Sequence, residues 1–335
     1  IKVSEFMQTN LKNVYAAGDG LPAWCNLLLC LILIIFCGAM TQSRTWYHSV
    51  SENVTVIQDT EENSAFPNLL GEHNDTSNLP VIGVPEAIRK AETEMGRFPA
   101  LGSQFVIQDS DVTSQNINGK LCYVIPLQPR SMFKWDKAVG NHGYFIVDRN
   151  SGNIEFVEKS LLTTTYAPFA SSTTRIVNKY LNSIGISGKV TDVSPEVDDE
   201  GNFHYVATVY HSTFFGSYKT VVGIVEVDAF TKECTFYDTD QIPEYVDRVY
   251  PESFFEDYLV MYGSYKNGWL NTLFGEKDIL VQTKDMGVIY IDGECWYYTG
   301  FTTTGKDDSS NGIIMMNSRT GAIEYHVTYG ISEER

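Results

Sequence analysis

The longest run of apolar residues lies near the start of the chain. Between Leu21 and Met40 the only strongly polar side chain is that of Asn26. About twenty residues at a rise of ~1.5 Å each match the ~30 Å hydrocarbon core of a bilayer. A signal peptide has a shorter apolar core of ~7–15 residues, and a buried core helix is rarely apolar on all faces. The pattern predicts a transmembrane helix over residues 21–41.

Aromatic and basic residues flank this run. Trp24 lies near its start and Trp46 follows its end, at positions typical of membrane–water interfaces. Lys2 and Lys12 precede the run, whereas Arg44 is the basic residue that follows it closely. Because cytoplasmic flanks carry an excess of basic residues, this bias predicts an extracytoplasmic C-terminal part.

A polar segment over residues 42–82 follows the apolar run. It contains SENVTVIQDTEENS and GEHNDTSN, which are rich in Glu, Asn, Asp, Ser and Thr and show no sustained apolar period. Such a composition predicts a polar linker.

The rest of the chain contains an internal repeat. The stretches GYFIVDRNSGNIEF, GIVEVDAFTKECTF and GIIMMNSRTGAIEY begin at Gly143, Gly223 and Gly312. Each has an Asp or Asn five residues after its glycine, and each has an upstream partner of the form Gly-x-x-x-Tyr: GKLCY, GNFHY and GECWY. The β-branched and bulky apolar residues indicate strands. The Asp or Asn indicates a hairpin turn, because its side chain accepts a backbone N–H two residues on.

One position in these turns calls for a left-handed backbone. Gly152 and Gly321 supply it in the first and third copies, and Lys232 takes the place in the second, which predicts local strain.

A helical pattern precedes each copy: VPEAIRKAETEMGRF, SSTTRIVNKYLNSIG and PESFFEDYLVMYGSYKNGWLNTLFG. Gly185 is predicted to end the second helix, and Gly263 and Gly268 to divide the third. We therefore predict an α+β fold, in which each repeat is a helix packed on a small antiparallel β-sheet. The predicted repeats are 83–160, 161–242 and 243–335.

Composition narrows the class of partner. The net charge of -18 argues against nucleic acid, because a phosphate backbone needs Lys and Arg to neutralise it. The six cysteines include no CxxC pair, which argues against a zinc ribbon and a dithiol redox motif and favours buried thiols.

Residues 84–330 resemble PepSY-like repeat proteins of an uncharacterised bacterial family with one membrane span. The resemblance rests on the order helix, strands and a D-A-x-T-G turn, seen here as VDRNSGN and VDAFTKE. GYFIVD, VDRVYP, WLNTLF and YYTGFTTTGKDDSS add to it. It implies an extracytoplasmic binding module or a restraint on a peptidase, and it implies no catalytic residue.

The first twenty residues, IKVSEFMQTNLKNVYAAGDG, resemble a different family. They are similar to the second FAD motif of thioredoxin-reductase-like flavoproteins, TxxxxVYAAGD, and the resemblance assigns its positions to Thr9, Gly18 and Asp19. The GxGxxG and CxxC motifs of such enzymes are missing. We interpret residues 1–20 as a flavoprotein-like fragment or a cytoplasmic tail that binds no cofactor.

Other motifs have ordinary interpretations. GFTTTGKD, from Gly300, fits GxxxxGK, but Asp307 stands where a phosphate-binding loop needs Ser or Thr, and we predict a loop between strands. The six histidines show no HExxH motif and no metal-ligand spacing. The acidic run EVDDEGN, residues 196–202, is predicted to be a hairpin turn rather than a cation site.

The leading hypothesis is a membrane-anchored, extracytoplasmic, non-enzymatic binding or regulatory protein. Its PepSY-like repeats would be presented to a protein or peptide partner, such as a peptidase or a membrane assembly. One alternative is a fragment of an FAD-dependent disulfide reductase fused to a membrane domain, and another is a structural subunit of a larger membrane complex. No catalytic, cofactor-binding or metal-binding residue is predicted, and the expected partners are a protein and, through one helix, the lipid bilayer.

Overall fold

The computed structural model describes residues 23–58, 81–136, 140–212, 218–291, 293–303 and 309–332. The flavin-like motif, with Thr9, Gly18 and Asp19, lies outside these ranges. The chain divides into two compact units. The helical unit contains the N-terminal helix and residues 260–281, and the sheet unit contains residues 53–259 and 282–335.

Helices and strands alternate along the chain. The helices are α1 (Ala23–Ser51), α2 (Val84–Met95), α3 (Pro99–Gln104), α4 (Thr173–Ile184), α5 (Glu252–Ser264) and α6 (Trp269–Phe274). The strands are β1 (Val54–Gln58), β2 (Phe105–Ile107), β3 (Thr113–Ile117), β4 (Lys120–Pro129), β5 (Asn141–Asp148), β6 (Ile154–Leu161), β7 (Lys189–Val197), β8 (Phe203–Ser212), β9 (Lys219–Asp228), β10 (Cys234–Asp238), β11 (Leu280–Ile291), β12 (Glu294–Thr303), β13 (Ser309–Asn317) and β14 (Ile323–Ser332).

Helix α1 is the one helix in the described ranges that is long and apolar enough to cross a membrane. Its apolar part exposes Leu27 and Ile34, at 75% and 69%, and the candidate span Leu27–Ser51 has a mean hydropathy of 1.9. These properties fit a membrane span and also a signal sequence. The helix does not stop at residue 41, where the predicted span ends, but continues to Ser51.

Aromatic contacts within the helical unit explain this longer helix. The rings of Trp46 and Tyr265 lie 6.0 Å apart, and those of Phe36 and Trp269 lie 5.5 Å apart. Trp46 is only 8% exposed. It therefore packs against protein, whereas the sequence pattern had placed it at a membrane interface.

The described residues of the sheet unit form three sheets. The first has the order β2-β4-β5-β6 with β3 paired to β4, the second β10-β9-β8-β7, and the third β1-β14-β13-β12-β11. The mixture of helices and mainly antiparallel sheets confirms the predicted α+β class. The prediction of a polar linker over residues 42–82 is wrong at strand β1, which lies inside it. The β-branched residues of VTVIQ form a strand there because they pair with β14 in parallel.

Helix α4 shows how the helices pack on the sheets. Its buried side chains, Thr173, Val177 and Leu181, recur at helical spacing, and Val177 and Leu181 join the core of the second sheet. As predicted, it ends at Gly185, which has a left-handed φ of 74°. Gly268, with a φ of 80°, precedes α6 and separates it from α5, also as predicted, whereas Gly263 lies inside α5.

The hairpins β5–β6, β9–β10 and β13–β14 have the same turn. The Oδ1 atom of Asp148 accepts hydrogen bonds from the backbone N–H groups two and three residues on, both at 2.8 Å. Asp228 accepts the corresponding bonds at 2.7 and 3.0 Å, and Asn317 accepts them at 2.9 Å. These bonds confirm the turn chemistry that the sequence predicted.

The three glycines that open these units also share one environment. A Cβ atom at Gly143, Gly223 or Gly312 would overlap a backbone carbonyl oxygen of the neighbouring strand, in each case nine residues after the turn's Asp or Asn. Only a residue without a side chain permits so close an approach of two strands. The three sequence stretches therefore agree in geometry at two separate positions.

Candidate functional site

A groove of about 670 Å³ opens in the sheet unit between α4 and β10. Helix α4 contributes side chains at positions i, i+1, i+4, i+5 and i+8, which lie on one face of a helix. The other wall is formed by the end of the β9–β10 turn and the first residues of β10. We call this feature the β10 groove; its walls are formed by Ala170, Arg175, Ile176, Lys179, Tyr180, Ser183, Lys232, Glu233, Cys234 and Thr235.

The β10 groove is basic, although the whole chain carries a net charge of -18. Arg175, Lys179 and Lys232 line it, and Glu233 is the acidic residue among its walls. The ammonium group of Lys232 lies 3.4 Å from the hydroxyl of Ser171. The groove therefore offers a local excess of positive charge, which favours an acidic ligand.

The left-handed residue of the turn explains why a lysine lines the groove. A Cβ atom at Gly152 would meet the side chain of Ile82, and one at Gly321 would meet the ring of Tyr250. Lys232 has a φ of 66°, the same backbone conformation. Side chains fill the space beside the turns at Gly152 and Gly321, whereas the space beside Lys232 is the open groove, so the lysine side chain fits there. The left-handed φ of this lysine is the local strain that the sequence predicted.

The outer side of β10 is the second feature of the site. In the described part of the chain, the strand neighbour of β10 is β9, and β10 ends the order of the second sheet. The N–H of Asp228 donates to the carbonyl of Glu233 at 3.0 Å. Because an antiparallel ladder alternates, Cys234, Phe236 and Asp238 then direct their backbone N–H and C=O groups away from β9. We call this row of groups the β10 edge.

The one thiol in the groove is unsuited to nucleophilic chemistry. Burial raises the pKa of Cys234 to about 11. Its Sγ atom lies 3.7 Å from the carbonyl oxygen of Lys232. The thiol is therefore protonated at neutral pH, and a cysteine nucleophile reacts as the thiolate.

A buried group of ionisable side chains lies elsewhere in the sheet unit. Glu196 is fully buried, and burial, with Asp247 as a second cause, raises its pKa well above the ordinary value. Burial also raises the pKa of Asp247 to about 6, against hydrogen bonds from the N–H of Asn116 at 2.9 Å and the hydroxyl of Tyr290 at 3.4 Å. Both carboxyl groups therefore retain protons to higher pH than exposed carboxyls do.

His204 lies between two carboxylates. Its Nε2 atom is 3.3 Å from Asp198 and its Nδ1 atom is 3.4 Å from Glu226. Tyr245 donates its hydroxyl proton to Glu226. The four side chains come from strands β8 and β9, the β7–β8 turn and the segment after β10. Sequence reasoning assigned His204 an ordinary role and had no spacing from which to find this group.

The other motifs lie where strands and turns were expected. The acidic run 196–202 spans the end of β7 and the turn into β8, as predicted. Residues 304–307 of GFTTTGKD lie outside the described residues, and β12 and β13 flank them. Within the described ranges, no group of three or more His, Cys, Asp or Glu residues could hold a metal ion.

A scan of protein-family models found no match to the chain, and a search of curated proteins found none either. The resemblances to PepSY-like proteins and to flavoproteins therefore stay predictions, and the geometry of the site carries the functional argument.

Proposed function

We propose that the chain is a membrane-anchored, extracytoplasmic binding protein without catalytic activity, and that its sheet unit engages a protein or peptide partner. The observation that carries the proposal is the β10 groove beside the β10 edge. A groove next to unpaired backbone donors and acceptors is the geometry by which extended peptides add to a sheet. The backbone groups supply affinity and the groove supplies selectivity.

Three further observations support the proposal. The apolar helix α1 is long enough to anchor the chain in a bilayer. The basic residues Lys2 and Lys12 before it favour a sheet unit outside the cytoplasm. The resemblance of residues 84–330 to PepSY-like repeat proteins, which serve as binding modules or restrain peptidases, points to the same class of function.

The chemistry of the polar groups favours binding over catalysis. Burial raises the pKa of the Cys234 thiol to about 11 and raises the pKa of the Glu196 carboxyl group well above its ordinary value. The imidazole of His204 contacts the carboxylates of Asp198 and Glu226, so it is paired with acidic side chains and not with a serine or cysteine nucleophile that it could activate.

An array of immobilised extended peptides of random sequence tests the binding function. We expect the full-length chain, purified in mild detergent, to bind a subset of the array saturably. The same subset should fail to bind after the chain is unfolded in urea. Absence of saturable binding to every peptide would contradict a peptide-binding function.

Extraction and labelling test the membrane anchor. After expression in bacterial cells, we expect the chain to stay with the membrane pellet in alkaline carbonate, and a cysteine replacing the exposed Thr235 to react with an impermeant thiol reagent from outside the inner membrane. A shortened soluble product that lacks α1 would instead identify α1 as a cleaved signal sequence.

A further inference from the structure

The third sheet already holds an added strand. Strand β1 pairs with β14 in parallel, in the register Val54 to Ile323 through Gln58 to Val327. The other strand pairs whose register the structure describes are antiparallel. Strand β1 is therefore a separate extended segment that was added to the outer side of an antiparallel sheet.

Strand β10 is the counterpart of β14 in the second sheet. Both strands begin six residues after the turn residue, Asp228 or Asn317, and both follow the same pattern of turn hydrogen bonds. The five residues of β14 that pair with β1 correspond to the five residues of β10, Cys234–Asp238. The position occupied by β1 in the third sheet is thus the β10 edge in the second.

In the first sheet, side chains fill the space that corresponds to the β10 groove of the second sheet. Its counterpart strand is β6, where the ring of Phe98 packs 5.5 Å from that of Phe156. The side chain of Ile82 covers Gly152 in the adjoining turn. The corresponding space beside β10 is the groove of about 670 Å³.

Charge fixes the direction in which an added segment would run. The cations of the groove gather at the beginning of β10, where Arg175, Lys179 and Lys232 line the same walls as Cys234. At the far end, Asp238 is the last residue of the strand and Asp240 lies in the turn that follows it. An acidic group of the ligand is therefore attracted to the start of β10 and repelled at its end.

We propose that the β10 edge takes an extended segment of a partner protein in parallel, opposite Cys234–Asp238, with acidic side chains at the N-terminal end of that segment. This inference rests on the proposed binding function and specifies its ligand. It makes the second sheet the receptor for an intermolecular copy of the arrangement that β1 and β14 show within the chain.

Two peptides of equal composition test the direction. Acetyl-EEVTVIQ-amide carries its acidic residues before the β1 sequence, and acetyl-VTVIQEE-amide carries them after it. Binding of each fluorescein-labelled peptide to the full-length chain in mild detergent is measured by fluorescence polarisation at low salt. We expect the first peptide to bind about fivefold more tightly, from one to two additional surface ion pairs. Equal affinities, or tighter binding of the second peptide, would overturn the parallel direction.

Matched charge reversals test the site. Lys179 lies in the groove, whereas Lys189 lies on β7 at the other edge of the same sheet. We expect Lys179→Glu to remove the preference for the first peptide and Lys189→Glu to leave it unchanged. Equal effects of the two substitutions would contradict a site at the groove, because they would show a general response to net charge.

Hydrogen exchange locates the bound peptide. With the first peptide at saturation, we expect slower exchange at the backbone amides of Cys234, Phe236 and Asp238 and unchanged exchange over residues 323–327. Binding with protection at 323–327 would show that the peptide replaces β1 beside β14 in the third sheet. That result would overturn the proposed site and would not contradict the proposed binding function. If neither these peptides nor any peptide of the array binds, the proposed function itself fails.

Discussion

Replacement of Asp247 by Asn removes one carboxyl group from the buried cluster of ionisable side chains in the sheet unit. Asp247 is 9% exposed, and burial raises its pKa to about 6 from an ordinary value of 3.8. An amide keeps an oxygen that can accept the hydrogen bond from the N–H of Asn116. The substitution therefore tests the cost of ionisation with little change in shape.

The sign follows from the direction of the shift. A carboxyl group whose pKa is higher in the folded state binds its proton more tightly there, so its protonated form favours folding. This contribution is complete below the unfolded pKa of about 4 and is lost as the pH rises to about 6. A difference of about two pKa units corresponds to about 3 kcal/mol in the free energy of unfolding.

Urea unfolding of the full chain in mild detergent, followed by tryptophan fluorescence between pH 4 and pH 8, measures this effect. We expect Asp247→Asn to match the parent near pH 4 and to exceed its free energy of unfolding by up to about 3 kcal/mol above pH 6. Asp199→Asn, which removes an exposed carboxyl, is the control and should leave the curve unchanged. A variant that is less stable than the parent at pH 7, or whose difference from it does not vary with pH, would refute the reasoning.

Three further substitutions test other parts of the structure. Gly312→Ala should lower the free energy of unfolding by about 3 kcal/mol, because its Cβ would overlap a carbonyl oxygen. Gly102→Ala, within helix α3, meets no neighbour and should leave the free energy of unfolding unchanged or raise it by less than about 1 kcal/mol in the same urea assay. Arg319→Ala should lower the free energy of unfolding by about 3 kcal/mol, because the guanidinium donates hydrogen bonds of 2.6 to 3.3 Å to the carbonyls of Ile242, Pro243, Glu244 and Val246; a loss below about 1 kcal/mol would contradict this role. Lys232→Gly should change the free energy of unfolding by less than about 1 kcal/mol, because relief of the left-handed lysine backbone offsets the added chain entropy of glycine in the unfolded state. The same substitution should weaken binding of acetyl-EEVTVIQ-amide in the polarisation assay, and an unchanged affinity would show that Lys232 does not belong to the site.

The features that sequence reasoning predicted correctly depend on residues close together in the chain. The turns at Asp148, Asp228 and Asn317 need only a side-chain oxygen and the next three residues. The end of α4 before Gly185 and the start of α6 after Gly268 likewise follow from single glycines. Local hydrogen bonds and backbone preferences decide such features, so a short window of sequence contains their cause.

The features that were missed depend on residues far apart. Pairing of β1 with β14 joins Val54 to Ile323, and no local pattern in a polar segment indicates it. Burial of Glu196 is set by its neighbours in space, although its sequence surroundings are typical of an exposed turn. The two elements that form the walls of the β10 groove, helix α4 and strand β10, were predicted from the sequence. Their position beside one another, with room between them, was not predicted.

The most direct test of a ligand site at β10 uses a photo-reactive amino acid at one exposed position of each edge. Thr235 on β10 and Glu155 on β6 occupy equivalent places in the second and first sheets, each seven residues after the turn's aspartate, and both are exposed. Irradiation of the full chain with acetyl-EEVTVIQ-amide should give a covalent adduct from position 235, mapped by mass spectrometry to the N-terminal half of the peptide, and little from position 155. Equal adducts from the two positions, or none from position 235, would contradict a binding site at the β10 edge.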